Sequence, residues 1–278
     1  MEVVTTIPEL NAVRVNISEP VGLVPTMGYL HNGHLSLVQR ARNECDSVVV
    51  SIFVNPSQFG PNEDLEAYPR DLPRDLQLLE EEGVDLVWTP TPEVIYPPGY
   101  QTWVVVEGVT KPLEGRYRPG HFRGVTTVVN KLLNCVHPQK AYFGQKDAQQ
   151  AVVIRRMVAD LDLPVEIVVC PIVREPDGLA MSSRNVYLNA PERRAATALY
   201  RALTLASRAY ENGTRNAADL REIITKVIGE EPFAQLQYIS CADPEKLQEL
   251  QGEVNHALLS MAVFLGKTRL IDNILIGD

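Results

Sequence analysis

The sequence is short of cysteine, long apolar runs and basic charge, and each shortage removes a class of protein. Its four cysteines, Cys45, Cys135, Cys170 and Cys241, stand singly. With no close pair to suggest a zinc site or a redox dithiol, they read as small packed residues of a protein kept in a reducing, cytoplasmic setting. The longest apolar stretches, residues 47–54 and 165–173, are too short to cross a bilayer, and residues 1–20 lack a basic start followed by an apolar run. Neither secretion nor membrane insertion is expected. Lys+Arg 26 against Asp+Glu 35 gives a formal net charge of -9. That balance repels a phosphate backbone and makes nucleic acid an unsuitable partner. The remaining composition, 45% hydrophobic and 22% charged, excludes fibrous and extensively disordered chains. A length of 278 residues suits two cores better than one.

The first part of the chain alternates short Val/Ile-rich runs with segments of helical period. Residues 21–24, 47–54, 84–88, 140–143 and 165–170 read as strands, several of them apolar at successive positions, as in a parallel sheet covered on both faces. Residues 102–106 form a further strand candidate. Between the strands, Leu72, Leu76 and Leu79, then Val125, Val129, Leu132 and Val136, then Val153, Met157 and Leu161 recur at helical spacing. From about residue 173 two amphipathic helices follow each other, marked by Leu199, Leu203 and Ala206 and by Leu220, Ile223 and Val227. Three apolar runs then close the chain, the last two joined by Gly266-Lys267, a connection suited to a type II′ hairpin. The expected fold is α/β: a Rossmann-like parallel-sheet domain over residues 1–172, then a smaller α+β domain over 173–278 with two helices and a three-stranded antiparallel sheet.

Four loops carry chemistry. The first strand runs into Pro25-Thr26-Met27-Gly28-Tyr29-Leu30-His31-Asn32-Gly33-His34, with a helix beginning near Gly33. Two histidines three apart in a first helical turn share one side, beside free backbone N–H groups and the positive end of the helix dipole. Gly28 and Gly33 allow close approach of a triphosphate. A metal pair is the alternative. Zinc, however, would need a third or fourth ligand, and His121, His137 and His256 lie in no spacing that identifies one. The second loop, Met181-Ser182-Ser183-Arg184-Asn185, offers hydroxyls and a guanidinium to a phosphate chain, or equally a helix cap. The third, Phe143-Gly144-Gln145-Lys146-Asp147-Ala148-Gln149-Gln150, again follows a strand, so it and the histidine loop can face one ligand at the carboxyl ends of the sheet. Lys146 would bring positive charge there, or remain solvated beside a capping Asp147. The fourth, Asn55-Pro56-Ser57-Gln58, presents amides that can hold hydroxyls and a carboxylate without neutralising them. Asp71 and Asp75, four apart on a helix face, could meet a nucleotide-bound Mg²⁺ through water or stand as surface acids. Arg116, Arg118, His121 and Arg123 form a basic cluster that could attract an acidic substrate or pair with the abundant acids.

Together these segments resemble the pantoate-β-alanine ligase family of the HxGH nucleotidyltransferase superfamily. The resemblance rests on residues 25–34, 53–59, 68–70, 115–125, 143–150 and 173–185, in order along most of the chain, with Tyr29 and Asn32 where Ala and Glu are common in the family. It implies a homodimer, a lid-like second domain, and ATP-dependent condensation of pantoate with β-alanine through pantoyl adenylate, releasing AMP and pyrophosphate. Residue by residue, it implies that Met27, Gly28, Tyr29, Leu30, His31, Asn32, Gly33 and His34 bind ATP, with His34 at the proton-donor position and His31 on the phosphates. Gly144, Gln145, Lys146, Asp147, Val173, Met181, Ser182, Ser183 and Arg184 would complete the nucleotide site. His31, His34, Lys146 and Arg184 would be the catalytic donors. Gln58 and Gln150, with Asn55, would hold pantoate, and Asp75 falls where the family meets Mg²⁺.

Overall fold

In the computed structural model, which describes every residue except Asn62 and Asp278, the chain divides into two compact units. One comprises Met1–Gly144 and Val153–Pro171; the other comprises Gln145–Val152 and the chain from Ile172 onward.

Among the described residues the first unit holds six strands: β1 (Glu2–Val4), β2 (Val21–Thr26), β3 (Ser47–Ile52), β4 (Leu86–Trp88), β5 (Lys140–Gly144) and β6 (Glu166–Cys170). All pair in parallel, in the order β1-β4-β3-β2-β5-β6. Around them run α1 (Ile7–Arg14), α2 (Asn32–Glu44), α3 (Leu72–Glu81), α4 (Pro92–Ile95), α5 (Glu114–Tyr117), α6 (His121–Val136) and α7 (Ala148–Asp160), the last reaching this unit at Val153. Strand alternation sends Leu23, Val49 and Leu86 into one core with Val125, Val129, Val153 and Met157. Their neighbours Val24, Val48, Val50 and Val87 enter a second core with Val38 and Leu79. Covered on both faces, the strands need apolar residues at every position, which is the pattern the sequence shows. β2 and β5 lie side by side where the strand order reverses, and the crevice outside the carboxyl ends at such a point is where open α/β sheets bind ligands.

Several local features differ from the sequence expectation, among them the one-turn helices α4 and α5. β1 and α1 were not anticipated, although Thr6 and Glu9 form a capping box that marks the start of α1. Residues 102–106 form no strand. Val104 N donates to Thr127 Oγ1 at 3.0 Å and Val104 O accepts from Thr126 Oγ1 at 2.7 Å. Side chains of α6 thus take the place of a ladder, and Trp103 and Val105 remain exposed.

The second unit contains α8 (Ala190–Ala195), α9 (Thr197–Glu211) and α10 (Ala217–Gly229), followed by β7 (Ala234–Ala242), β8 (Ala257–Leu265) and β9 (Thr268–Ile276). The strands pair antiparallel in the order β7-β8-β9. Leu199, Leu203, Leu220 and Ile224 pack on Leu259, Met261 and Val263 of the sheet. At the β8–β9 turn Gly266 has φ +57° and Lys267 does not share the positive φ, as a type II′ hairpin requires. The parallel sheet with flanking helices, followed by a smaller α+β unit, is the fold class expected from the sequence, but the second unit has a third helix, the six-residue α8, which is too short to show a helical period.

Candidate active site

β2 ends at Thr26 and passes through a tight turn into α2. Gly28 has φ +81° and Tyr29 φ +51°, a left-handed pair that only the glycine adopts without cost. Asp75, on α3, holds this turn: its Oδ2 accepts from Tyr29 N and its Oδ1 from Leu30 N, each at 2.7 Å. A Cβ at Gly28 would stand 3.1 Å from Asp75 Oδ2, so the loop lies directly on the carboxylate. Asp75 is buried, and burial pushes its carboxyl above the usual range while the two backbone N–H groups draw it down. Asp71 instead caps α3, accepting from Arg74 N. Arg74 donates to Leu30 O at 2.9 Å and lies 5.7 Å from the centre of the Tyr29 ring.

The two histidines follow. His31 is the N-cap of α2, and its Nδ1 accepts from Gly33 N at 3.1 Å. His34 Nδ1 accepts from His31 N at 3.3 Å, and the two rings lie 4.0 Å apart, tilted by 34°. A ring nitrogen that accepts carries no proton, so each neutral imidazole holds its hydrogen on Nε2. The backbone of the first turn therefore sets both tautomers and makes both Nε2–H groups donors, at the positive end of a helix of 13 residues. Asn32 and Gly33 are the first two residues of that helix.

The amide loop adjoins Met27. Gln58 Nε2 lies 3.2 Å from Met27 Sδ, while Gln58 Oε1 accepts from Asn55 Nδ2 at 3.0 Å. Asn55 lies beneath this contact, 1% exposed. Its Nδ2 also donates to Gly124 O, and its Oδ1 accepts from Ser57 N, Ser57 Oγ and Tyr96 Oη. It is thus a support for Gln58, with its polar atoms shared between the loop, α6 and Tyr96. A second support comes from α6. His121 Nδ1 lies 2.9 Å from Gln58 O, which can only accept, so the ring proton is on Nδ1; Nε2 then accepts from Arg118 at 3.1 Å. Arg118 also makes a bidentate pair with Glu63, at 2.8 and 2.6 Å. Burial, and then the adjacent Arg118 charge, push the His121 pKa down to about 4, so the ring is neutral. Within the basic cluster Arg118 pairs with Glu63, while the exposed Arg123 lies over Trp103 at 4.6 Å and the exposed Arg116 over Tyr117 at 5.9 Å.

In the second unit, Gln145–Asp147 form a 3₁₀ turn after Gly144, with Lys146 Nζ 3.9 Å from Asp147. Gly144 ends β5, and a Cβ there would meet nothing within 4 Å. Gln150 is half-buried in the first turn of α7. Val173 O accepts from Met181 N at 3.0 Å, and a bridge joins Arg174 to Ala180, so residues 173–181 close as a small hairpin. Ser182 caps the 3₁₀ turn Ser183–Tyr187 by accepting from Arg184 N at 3.3 Å, and Ser183 is buried. Both ends of this region are anchored on β9, through Asp272 and Asn273. Neither was singled out from the sequence, although an Asp-Asn pair inside an otherwise apolar strand was the visible signal. Glu63 and Tyr96 were overlooked too; nothing in their local sequence marks them, because their partners lie 55 and 41 residues away.

The sequence pattern of the pantoate-β-alanine ligase family matches residues 2–275. The chain belongs to this family. It is 62% identical over 273 residues to a pantothenate synthetase of Roseiflexus sp. (strain RS-1), with 98% of each chain covered. Its structure is similar to that of a pantothenate synthetase from Thermus thermophilus, at 50% identity, 99% coverage of both chains and a TM-score of 0.95. It is also similar to a pantoate-β-alanine ligase from Francisella tularensis complexed with β-γ ATP and β-alanine, at 38% identity, 99% and 97% coverage and a TM-score of 0.82. The family member described here is accordingly an enzyme, a ligase of pantothenate biosynthesis. No helix among its described residues is long and apolar enough to cross a membrane.

Proposed function

We propose that this ligase condenses pantoate with β-alanine in two steps: ATP and pantoate give pantoyl adenylate and pyrophosphate, and the amine of β-alanine then displaces AMP. The observation that carries the proposal is the pair of histidines at the N-terminus of α2 whose Nδ1 atoms accept backbone N–H groups, which makes Nε2–H the donor of each ring. Adenylation requires no protein nucleophile, because the substrate carboxylate attacks the α-phosphorus itself. The protein must position the reactants and stabilise charge developing on phosphate oxygens. His34 and His31 are assigned as donors to those oxygens, and Lys146 and Arg184 supply positive charge to them. Met27 to His34, Gly144 to Asp147, Val173 and Met181 to Ser183 are assigned to ATP. Gln58 and Gln150 are assigned to pantoate. Their neutral amides leave its carboxylate nucleophilic, whereas a bidentate arginine would hold back its electrons.

ATP is expected as its magnesium complex. The donor set at Asp75 does not suit direct coordination, since both carboxylate oxygens accept backbone N–H groups and the side chain is 1% exposed. Among the described residues no group of three or more His, Cys, Asp or Glu could hold a metal. Phosphate oxygens and water are the usual ligands of a nucleotide-borne Mg²⁺, and Asp75 serves as the brace of the loop. On the resemblance and the four unpaired cysteines we place the enzyme in the cytoplasm, as a homodimer. The deciding experiment is ATP–pyrophosphate exchange. Exchange should require pantoate and proceed without β-alanine, and adding β-alanine should release AMP. Exchange that ignores pantoate, or release of ADP, would exclude this function.

A further inference from the structure

β9 is apolar along Leu270, Ile271, Ile274, Leu275 and Ile276, yet at its middle stand Asp272 and Asn273, 1% and 3% exposed. A buried amide or carboxylate is costly unless every polar atom is paired. Here the pairing is full and reaches far along the chain. Asn273 Nδ2 donates to Gln145 O at 3.0 Å and to Lys146 O at 2.9 Å, using both its hydrogens, and Asn273 Oδ1 accepts from Gln145 Nε2 at 3.1 Å. Asp272 takes a bidentate pair from Arg174, at 2.6 and 2.9 Å, and also accepts from Asn273 N at 2.8 Å. Arg174 in turn donates to Gly178 O and lies over the Tyr200 ring at 4.3 Å, inside the hairpin that leads to Met181. Successive strand residues point to opposite faces, so two neighbours on one strand grip two separate loops of the same unit.

An apolar residue at position 273 would pack in such a strand without desolvating an amide. What the asparagine adds is a fixed place for two carbonyls of a 3₁₀ turn more than 120 residues earlier in the chain. Lys146 follows Gln145 in that turn, and its long, rotatable side chain, with Nζ 3.9 Å from Asp147, starts from the backbone that Asn273 holds.

We propose that Asn273 is a positioning residue for adenylation, acting through the backbone of Gln145 and Lys146 to hold the Lys146 ammonium where phosphate charge develops. This rests on the role given above to Lys146. It touches no reacting atom itself. Misplacement of a catalytic group by about 1 Å can cost on the order of 10²-fold in rate, so N273A should lower kcat for pantoate-dependent pyrophosphate exchange by roughly 10- to 100-fold. The pantoate KM should stay within about twofold of wild type, because only transition-state positioning is lost.

The test is a double-mutant cycle with K146A, measured by pyrophosphate exchange on the full-length enzyme. If Asn273 acts through Lys146, adding N273A to K146A should slow exchange further by less than about twofold, since coupled sites are not additive. An equal fractional loss in the wild-type and K146A backgrounds would overturn the inference, showing a general structural role. K146A with wild-type exchange would also overturn it, by removing the group through which Asn273 acts. The ligase reading fails differently, through exchange that does not need pantoate. Should N273A fail to fold, N273S retains one hydroxyl donor in a smaller volume and takes its place in the same cycle.

Discussion

Asp75 shows how a single side chain can decide a loop. Two backbone amides, one of them on a non-glycine residue at positive φ, donate to its two oxygens. Asp75→Asn keeps the shape but turns one acceptor into a donor facing an N–H group. A buried donor left unpaired costs about 1–3 kcal/mol, and relaxation of residues 28–30 should appear as an ATP KM raised by roughly 5- to 100-fold, with the pantoate KM unchanged. Unaltered ATP kinetics in the folded variant would show that the loop holds itself.

His121 makes a second residue-scale prediction, this time of stability against pH. Its folded pKa is pushed down to about 4, below the ordinary value of 6.5. Above 6.5 both states are neutral. As pH falls toward 4, the unfolded chain binds a proton that the folded ring refuses, so stability is lost across that window, by up to about 3 kcal/mol. Urea denaturation at pH 7 and pH 4 should show this loss in the wild type and a smaller loss in His121→Asn, which has no titrating ring. Equal losses in the two proteins would refute the buried neutral tautomer. Of these residues, the placing of the histidine pair in the first turn of a helix was legible in the sequence, because its spacing is local to one loop. The supporting roles of His121 and Asp75 were not, since each depends on a partner brought close only by folding.

At the scale of elements, α6 and the amide loop share one close approach. A Cβ at Gly124 would come within 2.4 Å of Ser57 O and 2.7 Å of Gln58 Cα. Gly124→Ala must therefore push the helix or the loop away. Overpacking of this kind typically costs about 1–3 kcal/mol, and because the loop carries Gln58, the pantoate KM should rise along with the fall in stability. A variant that loses stability but keeps wild-type pantoate kinetics would mean that the helix gives way instead of the loop. The elements themselves were largely readable. Strands covered on both faces show unbroken Val/Ile runs, and the amphipathic helices show their stripes. β1 escaped because three residues at a sheet edge leave no period to read, and residues 102–106 misled because Trp103, Val104 and Val105 have strand composition while the Val104 backbone bonds to side chains of α6.

At the scale of the whole molecule, a net charge of -9 and an α/β sheet say little about substrate. The six motif segments, in order along the chain, said more. Hydrophobic period could not reveal that Gln145–Val152 is grouped with the residues from Ile172 onward, because that grouping arises from contacts such as Asn273 with Gln145. The central claim is that pantoate is activated as an acyl adenylate, and isotope transfer tests it most directly. If the pantoate carboxylate attacks the α-phosphorus, one of its oxygens bridges to phosphorus and leaves with AMP when β-alanine attacks the acyl carbon. Pantoate labelled with ¹⁸O in its carboxyl group should then give AMP carrying one labelled oxygen, the other remaining in the amide carbonyl of the product. Unlabelled AMP from fully labelled pantoate, or label found in inorganic phosphate, would contradict the acyl adenylate.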